Sequence, residues 1–295
     1  MKKWPNLYLV GAAKCGTTSL HDHLSKIPHI CMSHEKEPHF FSASYIRNLK
    51  YPGMCESEQA YLNMFDYHLD DTILGESSTS YLPFKDAAVN ISKVSPNAKI
   101  IISLRDPVER AFSHYLMVRR AGHTQLTFED EVKKELNELN DKNIGFLHLY
   151  HYSDQVKNYM DIFGKENVMV LIFESWIKDT DSTINKIINF LEVKVNKEIK
   201  PVNKKHNSYY ERHSFALMLM KIPFLSEAVR LLIPVSLRAF INKTFLSVDA
   251  EKPVMSNTAI KMLQEYYRED ITKLKNILDT ELPWEYFTNK DRAGS

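Results

Sequence analysis

The chain has 295 residues, a length that suits one large α/β domain whose core needs no disulfide or metal staples. Its 38 Lys and Arg nearly balance 37 Asp and Glu, for a formal net charge of +1, so no overall basic field argues for nucleic acid as a partner. Cys15, Cys31 and Cys55 are odd in number and form no CxxC pair, which argues against a disulfide framework and a zinc site and fits a reducing compartment.

The first predicted element is an apolar strand over Leu7 to Val10, which runs into Gly11-Ala12-Ala13-Lys14-Cys15-Gly16-Thr17-Thr18-Ser19 and then a helix with Leu20 and Leu24 on its buried side. A glycine-bounded turn between strand and helix is a phosphate-cradling loop: backbone amides converge on an anion where the helix dipole also favours negative charge. Gly11 and Gly16 have Walker A spacing, but Thr17 occupies the lysine slot and Lys14 stands two residues before Gly16. That displacement argues against ATP used in the usual way.

Further along, 43–70 reads as an irregular insertion, and Thr72 to Leu74 as a strand that runs into Gly75-Glu76-Ser77-Ser78-Thr79-Ser80-Tyr81. A third apolar strand, Lys99 to Leu104, is followed by Arg105 and a helix whose start is marked by Asp106 as N-cap, Pro107 in the first position and Glu109 placed for a capping box. Helical spacing returns over 153–164, a strand over Val168 to Phe173, and helices over 181–192 and 257–279, with 193–210 irregular. Such alternation predicts a mainly parallel sheet flanked by helices, in a single domain over 1–295 with 43–70 and 205–250 as acceptor-side insertions.

In an open parallel sheet, ligands bind beyond the carboxyl ends of the strands. Four features fall there together: the anion loop, the Glu35-Lys36-Glu37-Pro38-His39-Phe40-Phe41 segment, the Gly75 to Tyr81 segment, and Arg105 with Ser113 two helical turns beyond it. Together they resemble the sulfotransferases that use 3'-phosphoadenosine 5'-phosphosulfate (PAPS), in particular the branch related to heparan sulfate and other carbohydrate sulfotransferases. The resemblance implies a P-loop-containing, sulfotransferase-like α/β fold. It further implies Lys14, Glu37 and His39 as catalytic residues, Glu37 being the base with His39 alongside. Cys15, Gly16, Thr17, Thr18 and Ser19 would bind the 5'-phosphosulfate, Arg105 and Ser113 the 3'-phosphate, and Lys204 and Lys205 would belong to a loop closing over it. Tyr152 to Phe163, then Val168 to Glu174, also look like the family's helix-strand continuation. The chain departs from the polysaccharide branch at Thr18, where relatives often carry a basic residue, at Ser77, where they carry lysine, and at Ser42, where they carry aspartate.

The implied reaction moves a sulfuryl group from PAPS, leaving 3',5'-ADP, to a hydroxyl or amine of a carbohydrate or glycoconjugate. In-line geometry, deprotonation of the acceptor and stabilisation of charge on the departing phosphate are its requirements, so positioning and electrostatics should dominate. A sulfuryl group carries less charge than a phosphoryl group, and no carboxylate cluster in the sequence suggests a magnesium site, so no metal is expected. Alternative readings are a lipid or small-molecule acceptor, a P-loop small-molecule kinase, or a noncatalytic nucleotide-binding protein. The apolar runs near Leu217 to Met220 and Leu231 to Val235 are too short to span a bilayer, although 215–245 has the mixed pattern of a peripheral membrane contact. A cytoplasmic protein is expected from the chain as it stands, or one of the Golgi lumen if an N-terminal anchor precedes it. The sequence carries no signal for oligomeric state.

Overall fold

Leu7–Gly11 forms β1, and every one of its residues is buried, as a strand with helices on both faces must be. The structure, a computed structural model, describes residues 3–42, 54–65, 73–138, 145, 147, 151–194, 210–212, 247–249 and 251–288. The other parallel strands are β2 (Ile30–Met32), β3 (Ile73–Ser77), β4 (Lys99–Leu104) and β5 (Val168–Ile172), in the order β2-β3-β1-β4-β5. β1 is therefore central, paired with β3 from Leu7↔Gly75 to Leu9↔Ser77 and with β4 from Leu7↔Lys99.

The helices are α1 (Thr17–Leu24), α2 (Glu58–Leu62), α3 (Lys85–Val94), α4 (Pro107–Arg120), α5 (Phe128–Asn137), α6 (Tyr152–Phe163), α7 (Phe173–Trp176), α8 (Thr180–Phe190) and α9 (Asn257–Leu278). On one sheet face Leu7 and Leu9 join Leu20 and Leu24 of α1, Trp176 of α7 and Ile184, Ile187 and Ile188 of α8 in one apolar cluster. α3 and α6 pack against each other, and α6 lies on β4 and β5. Burial of such aliphatic side chains contributes about 1.5–3 kcal/mol each, the main favourable term of the fold. Asp270 of α9 supplies the N-terminal cap that α6 lacks locally, its carboxylate accepting from the N–H of Tyr152 at 2.8 Å and of Ser153 at 3.0 Å.

The chain divides into two compact units. The first, within 1–110, 144–203 and 263–295, holds the five-stranded sheet. The second, within 111–143 and 204–262, holds most of α4, all of α5 and the antiparallel pair β6 (Tyr210–Arg212) and β7 (Ser247–Asp249). Inside it Phe112, Tyr115 and Phe128 form an aromatic group with centroids 5.0–6.0 Å apart.

Several elements differ from the sequence expectation. β3 continues through Glu76 and Ser77, polar residues that are nonetheless fully buried, and β2, α2, α3 and α5 are additional. Asp106 does cap α4, accepting from the Val108 N–H at 3.0 Å, but the capping box does not close: the Asp106 N–H donates to Glu174 Oε1 at 3.0 Å and Glu109 turns to Arg105. Among the described residues, no helix is long and apolar enough to cross a membrane; the 215–245 stretch lies outside them.

Candidate active site

The loop after β1 is held from behind by β4. The Ala12 N–H donates to the Ser103 carbonyl at 2.7 Å, and Ser103 Oγ donates to the Cys15 carbonyl at 2.7 Å while accepting from Trp176 Nε1 at 3.0 Å. Gly16 sits in the left-handed region (φ 78°), and a Cβ there would lie 2.5 Å from Trp176 Cζ2 and 2.7 Å from Phe173 Cε2. No side chain caps α1, so its first-turn amides keep the donor capacity that an anion can use. Thr17 is buried at this end, whereas Thr18 and Ser19 are exposed and Lys14 is half-buried. The Cys15 side chain points into the core, 4.0 Å from the Tyr152 hydroxyl, and burial pushes its thiol up to about 12, so it stays protonated and acts by filling the turn.

Glu37 and His39 come together on a segment docked along the end of β3. The Glu37 N–H donates to the Ser77 carbonyl at 2.9 Å, and its carboxylate accepts from the Thr79 N–H at 2.9 Å and Thr79 Oγ1 at 3.1 Å. Lys36 Nζ contacts Glu37 Oε1, and His39 Nε2 lies 3.7 Å from Oε2. The other ring nitrogen, Nδ1, is 2.7 Å from Ser80 Oγ. Burial holds the His39 imidazole below its usual value, partly opposed by the Glu37 charge, so the ring is neutral near pH 7. Phe40 and Phe41 turn away into an aromatic cluster with Trp4 and Tyr61.

Residues 77–82 serve both places. Besides holding Glu37 and His39, this stretch ties to the end of β1: the Ser78 N–H donates to the Leu9 carbonyl at 3.2 Å and the Leu82 N–H to the Val10 carbonyl at 2.9 Å. Gly11 approaches it so closely that a Cβ there would fall 2.7 Å from Leu82 Cβ. Backbone conformation marks the same residues. Lys14, Glu37 and His39 account for half of the six non-glycine residues with positive φ among those described. Of the others, Glu192 and Asp279 lie two and one residues past the ends of α8 and α9, where left-handed backbone is an ordinary helix ending. The three site residues have no such excuse, and each costs about 1–2 kcal/mol.

Arg105 follows β4 on the wall of a cavity of about 350 Å³ that is also lined by Glu109, Phe173, Glu174, Trp284 and Tyr286. Its Nη2 pairs with Glu109 Oε2 at 3.0 Å, its guanidinium lies 5.0 Å from the Phe173 ring centre, and its buried Nε has no hydrogen-bond partner among the described residues. Glu174 is occupied by the Asp106 N–H and by Trp284 Nε1, both at 3.0 Å. Ser113 is half-buried on α4, in the portion that belongs to the second unit, and Lys204 and Lys205 lie outside the described residues. Among the described residues, no three His, Cys, Asp or Glu side chains come together as a metal cage.

Sequence reasoning located the Gly75 to Tyr81 segment without giving its residues roles. The structure gives them: Thr79 and Ser80 hold Glu37 and His39, and Glu76 lies beneath them. Ser77 and Ser42, two of the three positions that depart from the polysaccharide branch, are buried hydroxyls, 2.9 Å from His21 Nδ1 and 2.6 Å from Ser80 Oγ.

Human carbohydrate sulfotransferase 15 is 24% identical over an alignment covering 64% of this chain and 44% of that protein. Human heparan sulfate glucosamine 3-O-sulfotransferase 3B1 is 24% identical over 96% of this chain and 66% of its own length. The chain thus spans less than half of the first relative and about two thirds of the second. The crystal structure of a sulfotransferase from Alicyclobacillus acidocaldarius superposes with a TM-score of 0.67 at 26% identity, covering 95% of this chain and 97% of that one. The family model described as the sulfotransferase domain matches residues 5–275, nearly the whole chain, and with the anion loop and the parallel sheet beneath it this chain belongs to the sulfotransferase domain family.

Proposed function

We propose that the protein transfers a sulfuryl group from PAPS to a hydroxyl or amine of a carbohydrate or glycoconjugate. The observation that carries this reading is the double attachment of residues 77–82, which fasten Glu37 and His39 on one side and the end of β1, where the anion loop starts, on the other. An acceptor base and an anion site joined by one short stretch of backbone have the fixed relation that an in-line transfer requires.

In this mechanism the first-turn amides of α1 with Thr17, Thr18 and Ser19 bind the 5'-phosphate, and Arg105 binds the 3'-phosphate through its fork of donors. Glu37 accepts the acceptor's proton as the acceptor atom bonds to sulfur and the bond from sulfur to the bridging oxygen breaks. Lys14 stabilises the charge left on that oxygen. The neutral His39 ring, fixed through Ser80, lies beside Glu37 and orients it. The names of the curated relatives support a carbohydrate acceptor. One observation favours a second reading, a lipid or small-molecule acceptor: Ser77 and Ser42 put internally bonded hydroxyls where the polysaccharide branch carries charge.

Thermal unfolding with 3',5'-ADP and, separately, with ATP and magnesium tests the donor. Ligand at 100 times its dissociation constant adds about 2.7 kcal/mol to stability, so only 3',5'-ADP should raise Tm, by about 4 °C. A larger rise with ATP would favour a kinase. Lys14→Ala and Glu37→Gln should each lower PAPS turnover at least 100-fold while the protein stays folded; near-normal turnover in either removes that residue from the mechanism.

A further inference from the structure

Beneath the Glu37 segment lies a fully buried carboxylate that the transfer chemistry does not use. Glu76 is the fourth residue of β3, opposite Tyr8 in the parallel register. Its Oε1 accepts from the Tyr61 hydroxyl at 3.0 Å, its Oε2 accepts from Ser78 Oγ at 2.9 Å, and the Tyr81 hydroxyl is a third hydrogen-bond partner.

Two of these donors face the catalytic segment with their lone pairs. Ser78 Oγ accepts the His39 N–H at 3.1 Å, and the Tyr81 hydroxyl accepts the Phe41 N–H at 3.2 Å. A hydroxyl has one proton to give: that of Ser78 goes inward to Glu76 Oε2, and that of Tyr81 is given inward as well, its hydroxyl being hydrogen-bonded to both Glu76 and Ser78. Their direction fixes the polarity of the outer bonds: with the proton turned down, the oxygen can only receive an amide. The amides of Glu37, His39 and Phe41 are thus all received by the end of β3 and its following turn, the first by a carbonyl and the other two by hydroxyls that Glu76 orients.

We infer that Glu76 is a positioning residue for the transfer reaction, holding the Glu37–His39 segment in its left-handed backbone by dictating the proton direction of Ser78 and Tyr81. The inference rests on the reading of Glu37 as the base. Left-handed backbone at Glu37 (φ 63°) and His39 (φ 54°) needs an external restraint, and these two bonds supply it. In its ionised form the Glu76 carboxyl only accepts, and because burial raises its value to about 7 the restraint is complete above about pH 7. An amide in its place presents N–H donors on one side; where they meet Ser78 or Tyr81, that hydroxyl can no longer give its proton inward, and its hold on the His39 or Phe41 N–H weakens. The groups that face Glu76 are Tyr8 from β1, Tyr61 from α2, Tyr159 from α6, Ser78, Tyr81 and the charge of Glu37.

Hydrogen–deuterium exchange resolved to single amides, with PAPS turnover read as 3',5'-ADP release, tests the inference on the full chain. In Glu76→Gln, exchange at His39 and Phe41 should accelerate at least tenfold while amides of β1 and β4 keep their protection. Turnover number should fall at least tenfold with the KM for PAPS and the affinity for 3',5'-ADP within twofold of wild type. Ser78→Ala should expose His39 alone and Tyr81→Phe should expose Phe41 alone, and these milder variants carry the test if Glu76→Gln does not fold. Unchanged exchange at both amides overturns the inference, as does acceleration spread through β1 and β4 with loss of 3',5'-ADP binding, the signature of a merely structural carboxylate. Glu37→Gln separates the two layers. If it keeps turnover, the base reading fails whatever the exchange shows; if it is inactive while the Glu76, Ser78 and Tyr81 variants match wild type, only the positioning role fails.

Discussion

Arg105 is held between two negative charges, one present in the protein and one that the proposed nucleotide would bring. In the structure its guanidinium is paired with Glu109 one helical turn on, with the Phe173 ring alongside. A 3'-phosphate must compete with that carboxylate for the same donors and also suffers its repulsion. Both effects have one sign, so Glu109→Gln should tighten 3',5'-ADP binding by about 2- to 5-fold, in the range of a partly exposed ion pair. Titration calorimetry checks this, and weaker binding would mean that Glu109 holds Arg105 in its working orientation instead. The sequence made Arg105 legible because it ends an apolar strand before Asp-Pro, and it made Lys14 and Glu37 legible because each sits inside a contiguous motif. It could not show that the Thr79 N–H and hydroxyl hold the Glu37 carboxylate, since those partners are brought together only when β3 and the 37–41 segment dock.

Among the elements, the junction of β1 and α1 does the most with the fewest residues. Gly16 has to be left-handed, and it lets α1 start against Phe173 and Trp176 at a distance that no side chain tolerates. Gly16→Ala should therefore cost about 1–2 kcal/mol for the backbone and a further 1–3 kcal/mol for overpacking against two aromatic rings. Denaturant unfolding should show a loss of about 3 kcal/mol, with 3',5'-ADP binding weakened because the first turn of α1 shifts; a variant as stable as wild type would show that the rings yield. The helix after β4 was legible in the sequence because it carries a proper start signal at Asp106. α3 was not, because Phe84 precedes it and no side chain caps it, and its buried positions Ala87, Ala88 and Ile91 make a weak apolar stripe. β2 has only the three residues Ile30 to Met32, too few for a period to declare itself, and the end of β3 reads as polar because His21 and Tyr61, which help satisfy Ser77 and Glu76, come from other elements.

At the scale of the whole molecule, stability as a function of pH is set by buried groups pulling in opposite directions. Burial pushes Glu76 from 4.5 up to about 7 and Asp106 from 3.8 up to about 7, while it holds His21, His23 and His39 below 6.5. A carboxyl with a raised value keeps its proton in the folded state where the unfolded chain has lost it, so it contributes full stability below the unfolded value and loses that contribution as pH rises to about 7. A histidine with a lowered value does the reverse: the unfolded chain takes up protons first as pH falls below 6.5, and stability falls with it. Between about pH 5 and 7 the two slopes oppose each other, and the wild-type Tm should be shallow there. Glu76→Gln removes one carboxyl slope and leaves the histidines, so its deficit relative to wild type should shrink by about 2–3 kcal/mol between pH 5 and pH 7.5, which is several degrees in Tm for a chain of this size. Thermal unfolding of both proteins across that range measures the difference directly, and parallel Tm profiles would show that the buried Glu76 carboxylate is already ionised at pH 5, held there by the hydroxyls of Tyr61, Ser78 and Tyr81.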